Sequence, residues 1–210
     1  MARQNRVTPE GRIVAEAARG LFMGNRGILH DEDGRIVAPF RHRAWICRLT
    51  AFKGRRRAPM SPGHYTELFF LDEATALAAG HRPCAECRRA DYNRFRAAWA
   101  AAGLGATPRA AEIDSRLQAS RVRPRTREKI TFMAPWPDLP GGSFVRLPSG
   151  PALVRGAELL PWSPGGYSPA LPRPDTGMAL VLTPAPLVAV LAAGYQPVLH
   201  PSAGTMSQSR

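Results

Sequence analysis

Proline limits the folding choices of this chain more than any other residue, because of where it falls. Fourteen of the 21 prolines lie after residue 130, in the last 80 of 210 residues. Proline fixes φ and lacks a backbone N–H, so it ends helices and is confined to strand ends and edges. A stretch this dense in proline excludes a long helix. It carries short apolar runs between glycine-rich turns: Ser143–Leu147, Ala152–Arg155, Glu158–Leu160 and Met178–Leu182. That pattern predicts a small β-rich unit. One short helix is expected near its end, over Pro184–Ala193, with Thr183 as cap and Gly194 as stop.

Residues 1–130 read differently. Gly-Arg-Ile-Val-Ala occurs at 11–15 and again at 34–38, and both copies are strand-like. Asp33-Gly34 is a hairpin signal between Gly27–Leu29 and Ile36-Val37. Trp45–Leu49 and Tyr65–Leu71 read as further strands. Helices follow: Glu73–Ala79 between the cap Asp72 and Gly80, Ala85–Ala102 after Pro83, and Pro108 to about Gln118. Tyr92, Phe95, Trp99 and Ala102 recur at helical spacing and mark a core face. The expected class is α+β, an arginine-rich part over 1–130 and a β-rich part over 131–210, with room for one shared core.

Charge follows the same division. Residues 1–130 hold 25 basic and 13 acidic residues; the remainder holds 4 and 3. Of the 29 basic residues only Lys53 and Lys129 are lysine. A GC-rich genome accounts for arginine over lysine, but not for the excess, which points to a polyanion. The basic residues expected to meet phosphate are Lys53, Arg55, Arg56 and Arg57 in one loop, and Arg82, Arg88, Arg89 and Arg96 around one helix. Arg121, Arg123, Arg125 and Arg127 alternate, so an extended chain would project them to one side. No recognition-helix or RNP signature is present, so base-specific reading is not indicated. The segment Arg19–Gly27 reads as a tight turn, or else as a glycine-bared backbone facing an anion. For an enzyme, Asn25, Arg26, His30 and Glu67 are the polar residues to test first.

Cys84-Ala-Glu-Cys87 follows Pro83 at a helix start, a spacing that suits a metal knuckle. The run Phe69-Phe-Leu-Asp-Glu-Ala-Thr-Ala-Leu-Ala-Ala-Gly-His81-Arg-Pro-Cys84-Ala-Glu-Cys87 resembles the second half of the metal-binding domain of Ada-type DNA repair regulators. The chain as a whole also resembles a family of bacterial proteins. The Ada resemblance covers about a tenth of the chain and implies a structural zinc clamped between a hairpin and a helix, in a domain that contacts the DNA backbone. It departs from the family pattern upstream, where the expected cysteine positions hold Lys53 and Arg57 and only Cys47 is available. The methyl-accepting activity of that family therefore does not carry over. Zinc prefers four ligands at a structural site. The expected set is Cys47, Cys84, Cys87 and a histidine, with His81 first and His64, His30 and His42 as alternatives.

The leading expectation is thus a zinc-containing protein that binds DNA or RNA mainly through phosphates. A metal-assisted nuclease or DNA-repair-type enzyme is the alternative, and a module for protein contacts is a third reading. Three cysteines do not make a disulfide framework. No apolar run approaches the roughly 20 residues of a membrane span, and Met1–Arg6 has no apolar targeting core. A reduced, cytoplasmic protein is expected.

Overall fold

The computed structural model describes residues 2–54 and 58–204. Arg55, Arg56 and Arg57 lie outside them. The class is α+β, with two sheets and four α-helices among the described residues.

The first sheet is built from β1 (Gln4–Val7), β2 (Ile13–Ala15), β3 (Phe22–Asn25), β4 (Ile46–Leu49), β5 (Leu68–Phe70) and β6 (Arg82–Pro83), in the order β2-β1-β5-β3-β4-β6. β1–β5 and β4–β6 run parallel; the other neighbours are antiparallel. The middle of the Arg19–Gly27 segment, Phe22–Asn25, is therefore a central strand and not a tight turn. Gly24 is needed inside that strand: a Cβ there would stand 2.5 Å from the Ile46 carbonyl oxygen and 2.7 Å from the Phe70 ring. Val7, Phe22, Leu29, Cys47, Leu68 and Phe70 form the core on this sheet, closed by Ala76 and Ala79 of α1 (Glu73–Ala78) and its end.

α1 is short and wholly buried, and it starts at Asp72, whose Oδ1 accepts from Thr75 N at 2.8 Å. Gly80 ends it at φ +89°. α2 (Arg89–Ala101) begins four residues later than the periodicity predicts. Cys84–Arg88 is instead a turn, in which Cys84 Sγ accepts from Glu86 N and Cys84 O from Arg88 N. α3 (Ala110–Arg121) runs past Gln118 to Arg121. The expected extended display of Arg121–Arg127 is thereby replaced. Arg121 is a buried helix-end residue, and 123–127 is a turn closed by Arg127 N donating to Arg123 O.

The second sheet is antiparallel throughout. It contains β7 (Phe132–Pro135), β8 (Phe144–Leu147), β9 (Gly150–Arg155), β10 (Glu158–Ser163), β11 (Gly166–Tyr167), β12 (Leu171–Pro172) and β13 (Met178–Val181), in the order β11-β10-β9-β8-β13-β7 with β12 also on β10. Its prolines stand at strand ends or in edge strands, as the missing N–H requires, apart from Pro151 and Pro161. α4 (Ala185–Ala192) follows.

The two parts share their cores. Leu77, Tyr92, Phe95, Trp99, Ile113 and Leu117 pack with Leu187, Val190, Leu191 and Tyr195, so α2, α3 and α4 enclose one apolar cluster. Ala74 and Ala78 of α1 pack against Phe144, Leu153, Leu160 and Leu182. Buried carboxylates fasten the same seam: Asp72 Oδ2 accepts from Tyr167 Oη at 2.7 Å and His200 N at 3.1 Å, and Glu73 accepts from Tyr195 Oη at 2.6 Å and Val198 N at 3.0 Å. The change of composition near residue 130 thus separates two sheets, each with an apolar cluster of its own, while two further clusters span the boundary. No helix among the described residues is long and apolar enough to cross a membrane.

Candidate functional site

β3 leads into Arg26, β4 is preceded by Trp45, α3 ends in Arg121, and Lys129 follows the turn after α3. These four residues meet beneath the first sheet. Arg26 and Arg121 both stack on Trp45, their guanidinium carbons 4.1 and 3.9 Å from the ring centroid. Each is only 1% exposed. Arg26 Nη1 donates to Gly11 O at 2.9 Å and Nε to His81 Nε2 at 3.3 Å, while its Nη2 has no partner. Arg121 donates to Gly80 O (2.8 Å), Arg43 O (2.6 Å) and Gln118 Oε1 (2.6 Å), while its Nε has none. Gly80 gives Arg121 its lane, because a Cβ there would stand 2.7 Å from Arg121 Cδ. Lys129 Nζ donates to Ala78 O at 2.6 Å.

Among the described residues, none of these three cations has a carboxylate within ion-pair distance. Buried charge without a counter-charge is costly, and proton affinity falls accordingly. Burial lowers Arg26 to about 9. Burial, then repulsion from Arg26, lowers Arg121 to about 9. Burial and the two arginines bring Lys129 to about 7, against the pull of Glu10. His81, fully buried, is driven well below its ordinary value by burial, then by Arg26 and Arg121, and so stays neutral.

A cavity of about 50 Å³ lies among these groups, walled by Arg26, Trp45, Ala79, Arg121 and Val122. It adjoins an open groove of about 830 Å³, with which it shares Glu10, Gly11, Pro39, Arg127 and Lys129. Arg12 and Arg146 line the groove further out. Glu10 is committed on one oxygen, 2.7 Å from Arg146 Nη2.

The cysteines form a separate neighbourhood. Parallel pairing of β6 with β4 sets Pro83 beside Cys47, and Cys84 N donates to Cys47 O at 2.9 Å. Arg88 Nη1 donates to Cys47 Sγ at 3.4 Å. Burial pushes the Cys47 thiol far up and the Cys87 thiol up as well. His81 is not with them: its ring lies against Phe70 and Trp45, at 4.6 and 5.3 Å between centroids, and bonds Arg26. His30 is buried with Nδ1 2.7 Å from Thr66 Oγ1; His64 is exposed with Nδ1 2.9 Å from Pro62 O; His42 is exposed. Among the described residues no three or more His, Cys, Asp or Glu side chains are grouped to hold a metal. The expected four-ligand set with His81 is therefore not assembled here.

The basic residues expected at phosphates divide sharply. Arg82 is buried, with a bidentate pair to Asp114 at 2.8 Å on both arms. Arg88 is buried between Glu73 and Asp91, each at 2.8 Å. These two are core ion pairs and present no surface to a ligand. Arg89 and Lys53 are exposed, and Arg96 is half-buried with Nε on Pro108 O. Sequence reasoning missed Trp45, Lys129 and Glu10 as site residues. A signal existed for Lys129, one of two lysines in an arginine-dominated chain. Asn25 and Glu67, the other residues singled out for catalysis, are buried, Glu67 Oε2 accepting from Met60 N at 2.7 Å.

Compared with known proteins, the chain matches no family model, no curated protein and no solved structure.

Proposed function

We propose that this protein binds nucleic acid through phosphate groups, one of them in the pocket of Arg26, Arg121 and Lys129 and others along the groove edged by Arg12 and Arg146. The observation that carries the reading is the convergence on Trp45 of buried cations with no carboxylate partner and with free donors, at the head of an open basic groove. A water-excluded site strengthens charge-assisted hydrogen bonds to an oxyanion, and planar arginine forks match phosphate geometry. The excess of basic residues before residue 130 supplies the longer-range attraction. Fluorescence anisotropy with single-stranded DNA and RNA at two ionic strengths tests it. Affinity should fall steeply as salt rises. Absence of binding at low salt overturns the reading.

A second proposal is zinc on Cys47, Cys84 and Cys87. Its support is the pairing of β6 with β4, which brings Cys84 against Cys47, Cys84 N donating to Cys47 O at 2.9 Å, with Cys87 in the turn that follows. Native mass spectrometry reads it directly. One zinc per chain is the expected result, and a folded, metal-free chain the overturning one.

A further inference from the structure

The pocket has one open side and an excess of positive charge, and together these define a narrower ligand than phosphate in general. Resting on the nucleic-acid reading above, we propose that it takes the terminal phosphomonoester of a strand in preference to an internal phosphodiester.

Shape is the first argument. Arg26, Trp45, Ala79, Arg121 and Val122 are all buried, so the inner wall is closed. The cavity meets the groove at Glu10, Gly11, Pro39, Arg127 and Lys129, and its remaining lining residue, half-buried Phe40, lies next to Pro39 and under Arg127 at 5.3 Å, on that same side. An internal phosphodiester needs two exits, one for each continuing strand; a terminal phosphate needs one. The volume of about 50 Å³ exceeds the roughly 10–15 Å³ that one water requires, and suits a single tetrahedral oxyanion but not a nucleoside.

Charge is the second. A phosphomonoester carries about −1.5 to −2 at neutral pH and offers three acceptor oxygens, whereas an internal diester carries one charge. Arg26, Arg121 and Lys129 line the cavity with Arg127 at its mouth, against one lining carboxylate, Glu10, whose Oε1 is held by Arg146 and whose Oε2 is buried without a partner. His81 is neutral and adds nothing to either sign. Arg26 Nη2 and Arg121 Nε are buried donors without acceptors, and a terminal phosphate satisfies both with an oxygen to spare. The groove continues the fit: Ile13, Ile36, Val37 and Pro39 give the first sugar and base an apolar wall, and Arg12 and Arg146 stand where following phosphates would lie.

The test uses the whole chain and oligonucleotides of one sequence bearing a 5′-phosphate, a 3′-phosphate or hydroxyl groups at both ends, with inorganic phosphate and a nucleoside monophosphate as competitors. One phosphorylated end should bind at least about tenfold tighter than the hydroxyl form, the size of a single charge-assisted contact. Arg26→Met should bring that ratio to about one. Equal affinity for phosphorylated and hydroxyl strands overturns end recognition while leaving phosphate binding intact. No binding of any strand overturns both readings. Competition by a nucleoside monophosphate at the same concentration as the phosphorylated strand overturns the strand and leaves a small-phosphomonoester site. Should Arg26→Met fail to fold, thermal unfolding of the unmodified protein decides. Inorganic phosphate should raise its midpoint above that in chloride of equal ionic strength, and no shift overturns the pocket.

Discussion

Arg82 and Arg88 are as thoroughly buried as Arg26 and Arg121, yet the two pairs solve burial in opposite ways. Arg82 faces Asp114 with both arms, and Arg88 is shared by Glu73 and Asp91. Burial opposes the charge of Arg88, but Cys47 and Glu73 outweigh it and hold the guanidinium above its ordinary value. Arg26 and Arg121 have backbone carbonyls, an indole face and one another, and both fall to about 9. A buried arginine is therefore not one kind of residue. Where the chain supplies the counter-charge the arginine is a strut; where it does not, the charge is left for something outside the chain to balance.

The largest expected effect comes from exchanging the two cases. Arg88→Met leaves the 1% exposed Glu73 carboxylate to Tyr195 and Val198, its remaining partners among the described residues. Losing one member of a buried pair costs about 3–5 kcal/mol, read as a large fall in the urea midpoint. Arg26→Met instead removes a charge that no carboxylate was holding. Its lost hydrogen bonds to Gly11 and His81 are offset by relief of desolvation, and the net change in anion-free buffer should stay within about 1 kcal/mol. Equal losses in the two variants would break the comparison.

A smaller effect comes from pH. Lys129 titrates at about 7 in the folded protein, lowered by burial and by Arg26, against about 10.4 unfolded. From pH 7 upward the unfolded chain holds the proton that the folded chain has released, so this site makes the protein more stable as pH rises. Between pH 7 and 8 the gain is on the order of 1 kcal/mol. Above that window Cys47 works in the opposite direction and offsets the continuing rise, because burial keeps its proton in the folded state while an unfolded thiol ionises near about 8.5. Sulfate, divalent throughout, should hold Lys129 protonated and flatten the rise. Chemical denaturation at pH 7.0, 7.5 and 8.0, in chloride and in sulfate, measures both. A flat profile in chloride would remove the unbalanced charge from the argument.

Local structure was legible in the sequence wherever the signal was local. The Asp72 cap, the Gly80 stop, the Tyr92–Phe95–Trp99 face and the short strands after residue 130 follow from residues within one element. What residues meet across the fold was not legible. Arg82 finds its acid 32 positions away at Asp114, and Arg121 meets Gly80 at a separation of 41, so a count of basic residues assigns struts and surface groups to one phosphate face. The CxxC pair reads as a knuckle, but the position of His81 depends on the strand between them: β6 pairs with β4 and leaves the imidazole on the arginine pocket. The site itself surfaced only in fragments, Arg26 among residues suited to an enzyme and Arg121 in a run expected to be extended.

The smallest effect isolates burial from pairing. Asp91 accepts from two arginines at once, Arg88 at 2.8 Å and Arg94 at 2.5 Å. The carboxylate is the same and the distances are similar, but the Arg88 side chain is 1% exposed and that of Arg94 is 60% exposed. If pairing alone set the energy, Arg94→Ala would cost a sizeable share of what Arg88→Met costs. Solvent screening and the entropy of a long exposed side chain argue otherwise, and an exposed pair of this spacing contributes about 0.3–0.5 kcal/mol. Arg94→Ala should therefore shift the urea midpoint barely beyond error, with Arg88 still holding Asp91. A loss above about 1 kcal/mol would mean that the Asp91 carboxylate couples its two arginines into one network, and that Arg88 owes part of its anchoring to the surface.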